Sequence, residues 1–178
     1  RAEYEFLFRS LFSNSDRYRK VVEILSQKLK GMTRKEILET LKSDGGSLSK
    51  VLEDLSACDF IRSYSAIGKK SKSCIYQLTD LFCLFHIRFV TNEREQDEHY
   101  WTNLPEGMKN AWSGYAFEQV CLHHIPQIKN ELGISGVFSN VFSWNSGPFT
   151  DDDGTKWNGG QIDLLIDRRD DVINICEI

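Results

Sequence analysis

The stretch that most constrains this chain is its last, QIDLLIDRRDDVINICEI, from Gln161 to Ile178. Apolar and polar residues alternate, the pattern halts at Arg168-Arg169-Asp170-Asp171, and alternation then resumes. A period of two on both sides of a turn predicts a β-hairpin. Each arm carries one carboxylate in apolar surroundings, Asp163 in the first and Glu177 in the second. A carboxylate taken out of water is costly unless a cation compensates it. For two of them, a divalent metal is the natural cation.

Register decides whether the two can meet, because residues directly opposite in an antiparallel pair share a face. A two- or four-residue turn pairs Asp167 with Val172; Asp163 then faces Cys176, and Glu177 falls on the other side with Ile162. A three-residue loop, Arg169 to Asp171, sets Asp163 opposite Glu177 and lines the other face with Ile162, Leu164 and Ile166. We expect the second register, since only it places both carboxylates at one metal. Mg2+ suits such a site because it is hard and takes oxygen ligands. It lowers the pKa of a bound water and neutralises charge building on phosphorus, which is the chemistry of phosphodiester hydrolysis. Glu118, in the upstream helix GYAFEQV, is a third carboxylate within possible reach. The competing reading leaves Asp163 and Glu177 as strand-end residues in water.

The rest of the chain divides by charge. From Asp16 to Val90 there are 14 Lys and Arg against 9 Asp and Glu; from Thr91 onward there are 6 against 15. A basic half followed by an acidic half predicts two modules with different partners, with domains expected at 1–90 and 91–178. In the first half, helical spacing recurs at Phe6, Leu7 and Leu11, then at Tyr18, Val22, Leu25 and Leu29. Thr33 and Glu36 form a capping box, with Met32 and Ile37 as its hydrophobic staple. Ser47 is expected to cap a third helix that buries Leu48, Val51, Leu52 and Leu55. Strands Phe60 to Ile67 and Cys74 to Leu78 follow, joined by the basic loop GKKSKS. Three helices and a hairpin with a basic tip make a winged helix-turn-helix domain.

Such a domain suggests DNA. Lys69, Lys70 and Lys72 are placed to meet phosphates, and Lys50 to enter a groove. Against this, the same helix carries Glu53 and Asp54 and has no Arg, Asn or Gln to read bases. GKKS fails as a phosphate-binding loop, since Ser63 stands where its first glycine belongs and Lys70 replaces the hydroxyl after Gly-Lys. Thr79-Asp80 is expected to cap LFCLFHIRFV, a helix apolar nearly all round, and His86 within it to be a satisfied buried residue. His123 and His124 are adjacent on a helix and point about 100° apart, so they do not share a ligand sphere easily. Asp151-Asp152-Asp153-Gly154 lacks the spacing of a calcium loop and reads as a solvated turn in a long polar loop, Ser146 to Gly160. The five cysteines have no metal-ligand spacing and read as reduced thiols of a cytoplasmic protein. No apolar run approaches a membrane span.

Taken together, IYQLTDLFCLFHIRFV, WSGYAFEQVC and QIDLLIDRRDDVINICEI resemble the C-terminal half of a prokaryotic, archaeal-type AAA/STAND P-loop ATPase family. The resemblance runs from about Asp16 onward. It implies an α+β chain: a winged helix followed by a truncated restriction-endonuclease-like, PD-(D/E)xK, α/β domain. It matches the family's helix glutamate to Glu118, its central aspartate to Asp163 and the glutamate of its E-x-K motif to Glu177, with Gln161 as a polar neighbour. The motif's lysine would be the residue after Ile178. The family implies ATP binding in an N-terminal domain outside this chain, Mg2+ at the nuclease-like site, and DNA, the ATPase domain and possible homo-oligomers as partners. It leaves open a non-catalytic regulatory module.

Overall fold

The computed structural model describes residues 2–42, 45–65, 74–91 and 99–178. The protein is mixed α+β with small antiparallel sheets. It divides into two units, one running to Asn103 and one from Leu104 to Ile178.

In the first unit, α1 (Ala2–Leu11) and α2 (Ser15–Ser26) precede a short strand, β1 (Met32–Thr33), and α3 (Arg34–Leu41). A 3-10 turn (Gly45–Ser47) leads into α4 (Leu48–Ala57), followed by β2 (Ile61–Ser65) and β3 (Cys74–Leu78). The three strands form one antiparallel sheet in the order β1-β3-β2. Val22 and Leu25 of α2, Ile37 of α3, and Leu48, Val51, Leu52 and Leu55 of α4 are buried as read above, and Val21 and Ile24 join them. α1 differs: Phe6 and Leu11 are exposed, and Tyr4 and Phe8 make its buried face.

The capping box is present in full. Glu36 N donates to Thr33 Oγ1 at 3.3 Å, and Thr33 N donates to Glu36 Oε2 at 2.7 Å. Lys28 Nζ adds a bond to Glu36 Oε1 at 2.7 Å. Two residues cannot show a period, so β1 was invisible to pattern reading. It exists because Gly31, at φ +83°, lets the backbone swing against β3; a Cβ there would lie 2.6 Å from Tyr76 O.

One cap differs from expectation. Ser47 makes no side-chain cap bond because its backbone is already helical, continuing from the 3-10 turn into α4. Asp80 does cap α5 (Leu81–Phe85), accepting from Cys83 N at 2.7 Å. The apolar helix then widens into a π-helical turn, His86–Val90, and α6 (Tyr100–Asn103) follows. Cys83, Leu84, His86 and Phe89 are buried, whereas Phe82 is exposed, so the helix is not enclosed all round. His86 stacks on Tyr4 with ring centroids 4.3 Å apart.

The second unit opens with α7 (Glu106–His123) and α8 (Ile125–Glu131), broken at His124 just before Pro126. Then come β4 (Ser139–Ser146), β5 (Phe149–Thr150), β6 (Lys156–Trp157), β7 (Gly160–Arg168) and β8 (Ile173–Cys176). β7 is central in a three-stranded antiparallel sheet, β4-β7-β8. Ile134, Leu164 and Ile166 form its core cluster, packed by Leu122, Ile125 and Ile128 from the helices and by Val137, Val141 and Cys176. The segment read as a polar loop holds a small hairpin, β5–β6. Asp151 fixes it by accepting from Thr155 N at 2.9 Å and from Trp157 Nε1 at 2.7 Å. Such side-chain-to-backbone bonds are local and leave no trace in hydrophobic periodicity.

Candidate functional site

The terminal hairpin adopts the register of the three-residue loop. β7 and β8 pair Leu164 with Cys176, Leu165 with Ile175, Ile166 with Asn174 and Asp167 with Ile173. Arg168 N donates to Val172 O at 3.0 Å, closing a three-residue loop, Arg169 to Asp171. Asp171 takes φ +62°, the left-handed residue such loops require. The pairing ends at Leu164 and Cys176, and the same register continued one step would set Asp163 against Glu177. Leu164, Ile166 and Cys176 point to the helix-packed core.

Asp163 is half-buried and Glu177 is exposed. Asp163 Oδ1 accepts from Gln161 Nε2 at 2.9 Å, and its Oδ2 accepts from the backbone N of Ile178 at 3.1 Å. Gln161 lies two residues along the same strand, so the pleat sets it on the same face. Against β4 the register shifts between Phe142 and Trp144, where β7 sets two residues, Asp163 and Leu164, against Ser143 alone. A bulge bends its strand and redirects side chains, and bulges are frequent beside active sites.

Glu118 is half-buried on α7, next to the fully buried Gln119. Among the described residues, no group of three or more His, Cys, Asp or Glu could hold a metal.

The DNA-facing candidates stand differently. Lys50 donates to Asp54 Oδ1 at 2.8 Å, and Tyr18 donates to Asp54 Oδ2 at 2.6 Å. Lys50, and then Tyr18, hold the Asp54 carboxyl below its ordinary range, and Asp54 in turn raises the Lys50 ammonium. Lys50 thus pairs with Asp54 within α4 while its side chain stays largely exposed. Lys69, Lys70 and Lys72 lie outside the described residues. His123 and His124 are exposed, and His124 Nδ1 meets Val120 O at 2.7 Å.

Pattern reading missed some polar residues. Gln119 is fully buried and neither atom of its amide has a hydrogen-bond partner among the described residues. Its spacing from Tyr115 and Leu122 put it on an apolar face, which was the available signal. The buried hydroxyl of Tyr4 is likewise without a hydrogen-bond partner, and burial pushes it far above the ordinary phenol range.

No described helix is long and apolar enough to cross a membrane. No family model, no curated protein and no solved structure matches this chain.

Proposed function

We propose that the chain is the DNA-associated, C-terminal part of a P-loop ATPase. In this reading the first unit is a winged helix and the second a PD-(D/E)xK nuclease-like domain that hydrolyses DNA phosphodiesters with Mg2+. The observation that carries the nuclease reading is the hairpin register. Of the two registers open to this turn, the chain adopts the three-residue-loop one, and continued one step past Leu164 and Cys176 it would set Asp163 opposite Glu177. The order of elements in the first unit, β1-α3-α4-β2-β3 after α2, supports the winged helix.

The donor set suits Mg2+. Two carboxylates on one face are hard oxygen ligands, and Mg2+ commonly takes one or two carboxylates and completes its shell with water and phosphate. Asp163 and Glu177 would hold the ion, which supplies an activated water and charge neutralisation at phosphorus. Gln161 and the Ile178 amide fix the Asp163 carboxylate, so it need not reorganise on binding. The exposed Glu177 leaves the face open to a long substrate.

A second reading, a non-catalytic DNA- or protein-binding module of the ATPase, is favoured by the Lys50–Asp54 ion pair and by the two-carboxylate count. Incubating supercoiled DNA and Mg2+ with the protein that carries this chain separates the two. Cleavage that Asp163→Ala abolishes supports the nuclease. Equal behaviour of the wild type and Asp163→Ala removes it.

A further inference from the structure

The second unit contains a cavity that the carboxylate pair does not use. It has a volume of about 310 Å3 and is lined by Ile125, Pro126, Lys129, Ser135, Ser139 and Val141. That volume is at the lower end of small-molecule sites, which combine an apolar wall with a few convergent polar groups. Here α8 supplies Ile125, Pro126 and Lys129, and β4 supplies Ser139 and Val141. The cavity is therefore on the helix-packed face of the sheet. Ser139 pairs with Arg168, at the opposite end of β7 from Asp163.

Its polar groups are incompletely used. The Ser139 hydroxyl oxygen is buried and has no hydrogen-bond partner among the described residues. Leaving a buried hydroxyl unpaired costs free energy that a ligand acceptor would recover. Lys129 Nζ donates once, to Val137 O at 3.1 Å, and an ammonium has three donors. Arg168 lies across from Ser139 on the same face, with Asp170 and Asn174 holding its guanidinium. The groups lining the cavity are one cation and two hydroxyls against an apolar wall, and no carboxylate is among them.

We infer that this cavity binds a small amphiphilic anion: an oxyanion head, phosphate ester or carboxylate, on Lys129 and Ser139, and a short apolar body on Ile125, Pro126 and Val141. Ser135 sits exposed among the lining residues. The site is separate from the carboxylate pair and does not depend on its activity.

The test is titration of the isotopically labelled chain, followed by amide NMR, with four probes: n-butyl phosphate, hexanoate, hexanol and inorganic phosphate. Butyl phosphate or hexanoate should saturate, with shifts concentrated at Lys129, Ser135, Ser139 and Val141. Whichever saturates identifies the head group. Lys129→Met should weaken binding about tenfold, the scale of one charge-assisted hydrogen bond. Ser135→Trp, an exposed position whose change spares the core, should block it by bulk, and Asp163→Asn should leave it unchanged. Thermal melts check that each variant stays folded. No saturation by either amphiphile, equal binding of hexanol or of inorganic phosphate, or Lys129→Met and Ser135→Trp both folded and binding like the wild type, would each overturn the inference.

Discussion

Replacing Glu36 by alanine gives the sharpest stability test, because three bonds converge on one carboxylate. Lys28 Nζ, the backbone N of Thr33 and the Thr33 hydroxyl all donate to it. They lower its pKa from the ordinary 4.5 to about 2, Lys28 contributing most. At about 1.36 kcal/mol per pH unit, unscreened interactions of that strength would amount to roughly 3 kcal/mol. The side chain is 38% exposed, so solvent reduces this to about 1 kcal/mol. Loss of a cap costs about the same. Glu36→Ala should therefore destabilise the protein by about 1–2 kcal/mol at neutral pH.

The sign of the pH dependence follows from the direction of the shift. A carboxylate with a depressed folded pKa stabilises the fold fully above its unfolded value and loses that contribution as pH falls through its folded value. The stability difference between the wild type and Glu36→Ala should be largest above pH 4.5 and shrink toward pH 2. Glu36→Gln, which keeps an amide oxygen for the cap but no charge, should be intermediate at pH 7. Urea denaturation followed by far-ultraviolet circular dichroism, repeated at several pH values, measures all three. A wild-type-to-alanine difference that stays constant from pH 7 to about 2.5 would refute the linkage argument.

Other outcomes follow from single contacts. Gly31→Ala should cost about 1–3 kcal/mol in the same denaturation assay, since the backbone is left-handed there and the new Cβ meets Tyr76 O at 2.6 Å. Asp171→Gly should be neutral or stabilising by up to about 1 kcal/mol, whereas Asp171→Val, with a β-branched residue at φ +62°, should destabilise by about 1–2 kcal/mol. Thermal melts distinguish the two. Asp54→Asn should free Lys50 from its ion pair and raise the affinity of the first unit's α4 face for DNA a few-fold at low salt, read by fluorescence anisotropy. An unchanged affinity would show that α4 does not face nucleic acid.

Sequence pattern carried farther in some places than in others. α2 and α4 were legible because their apolar residues repeat at helical spacing, and the Thr33–Glu36 box because it is a local pair three residues apart; in α1 apolar residues lie on both faces, so spacing did not single out Tyr4 and Phe8 as the buried ones. The hairpin was legible as a hairpin, yet its register rested on one loop residue. The left-handed Asp171, which composition does not announce, lies in the three-residue loop that sets the register. β1 was illegible because two residues hold no period and its partner strand lies more than forty residues on. The β5–β6 hairpin was hidden by its polarity, since Asp151 and Thr155 hold it through hydrogen bonds. At the candidate site, Asp163 and Glu177 were readable from alternation, and Gln161 only through the resemblance. The Ile178 amide bond to Asp163 and the cavity beside Lys129 depend on tertiary placement, which no spacing encodes.

The most direct test of the central claim, that Asp163 and Glu177 form one metal-holding pair, is calorimetric titration of this chain with Mn2+ as a stand-in for Mg2+. Asp163→Asn and Glu177→Gln are titrated beside it, because each keeps side-chain size and removes one charge. The account predicts one Mn2+ site in the wild type, weakened about tenfold or more by either substitution, with the double variant no worse than the weaker single one. Mn2+ binding of equal affinity in all four proteins would contradict it.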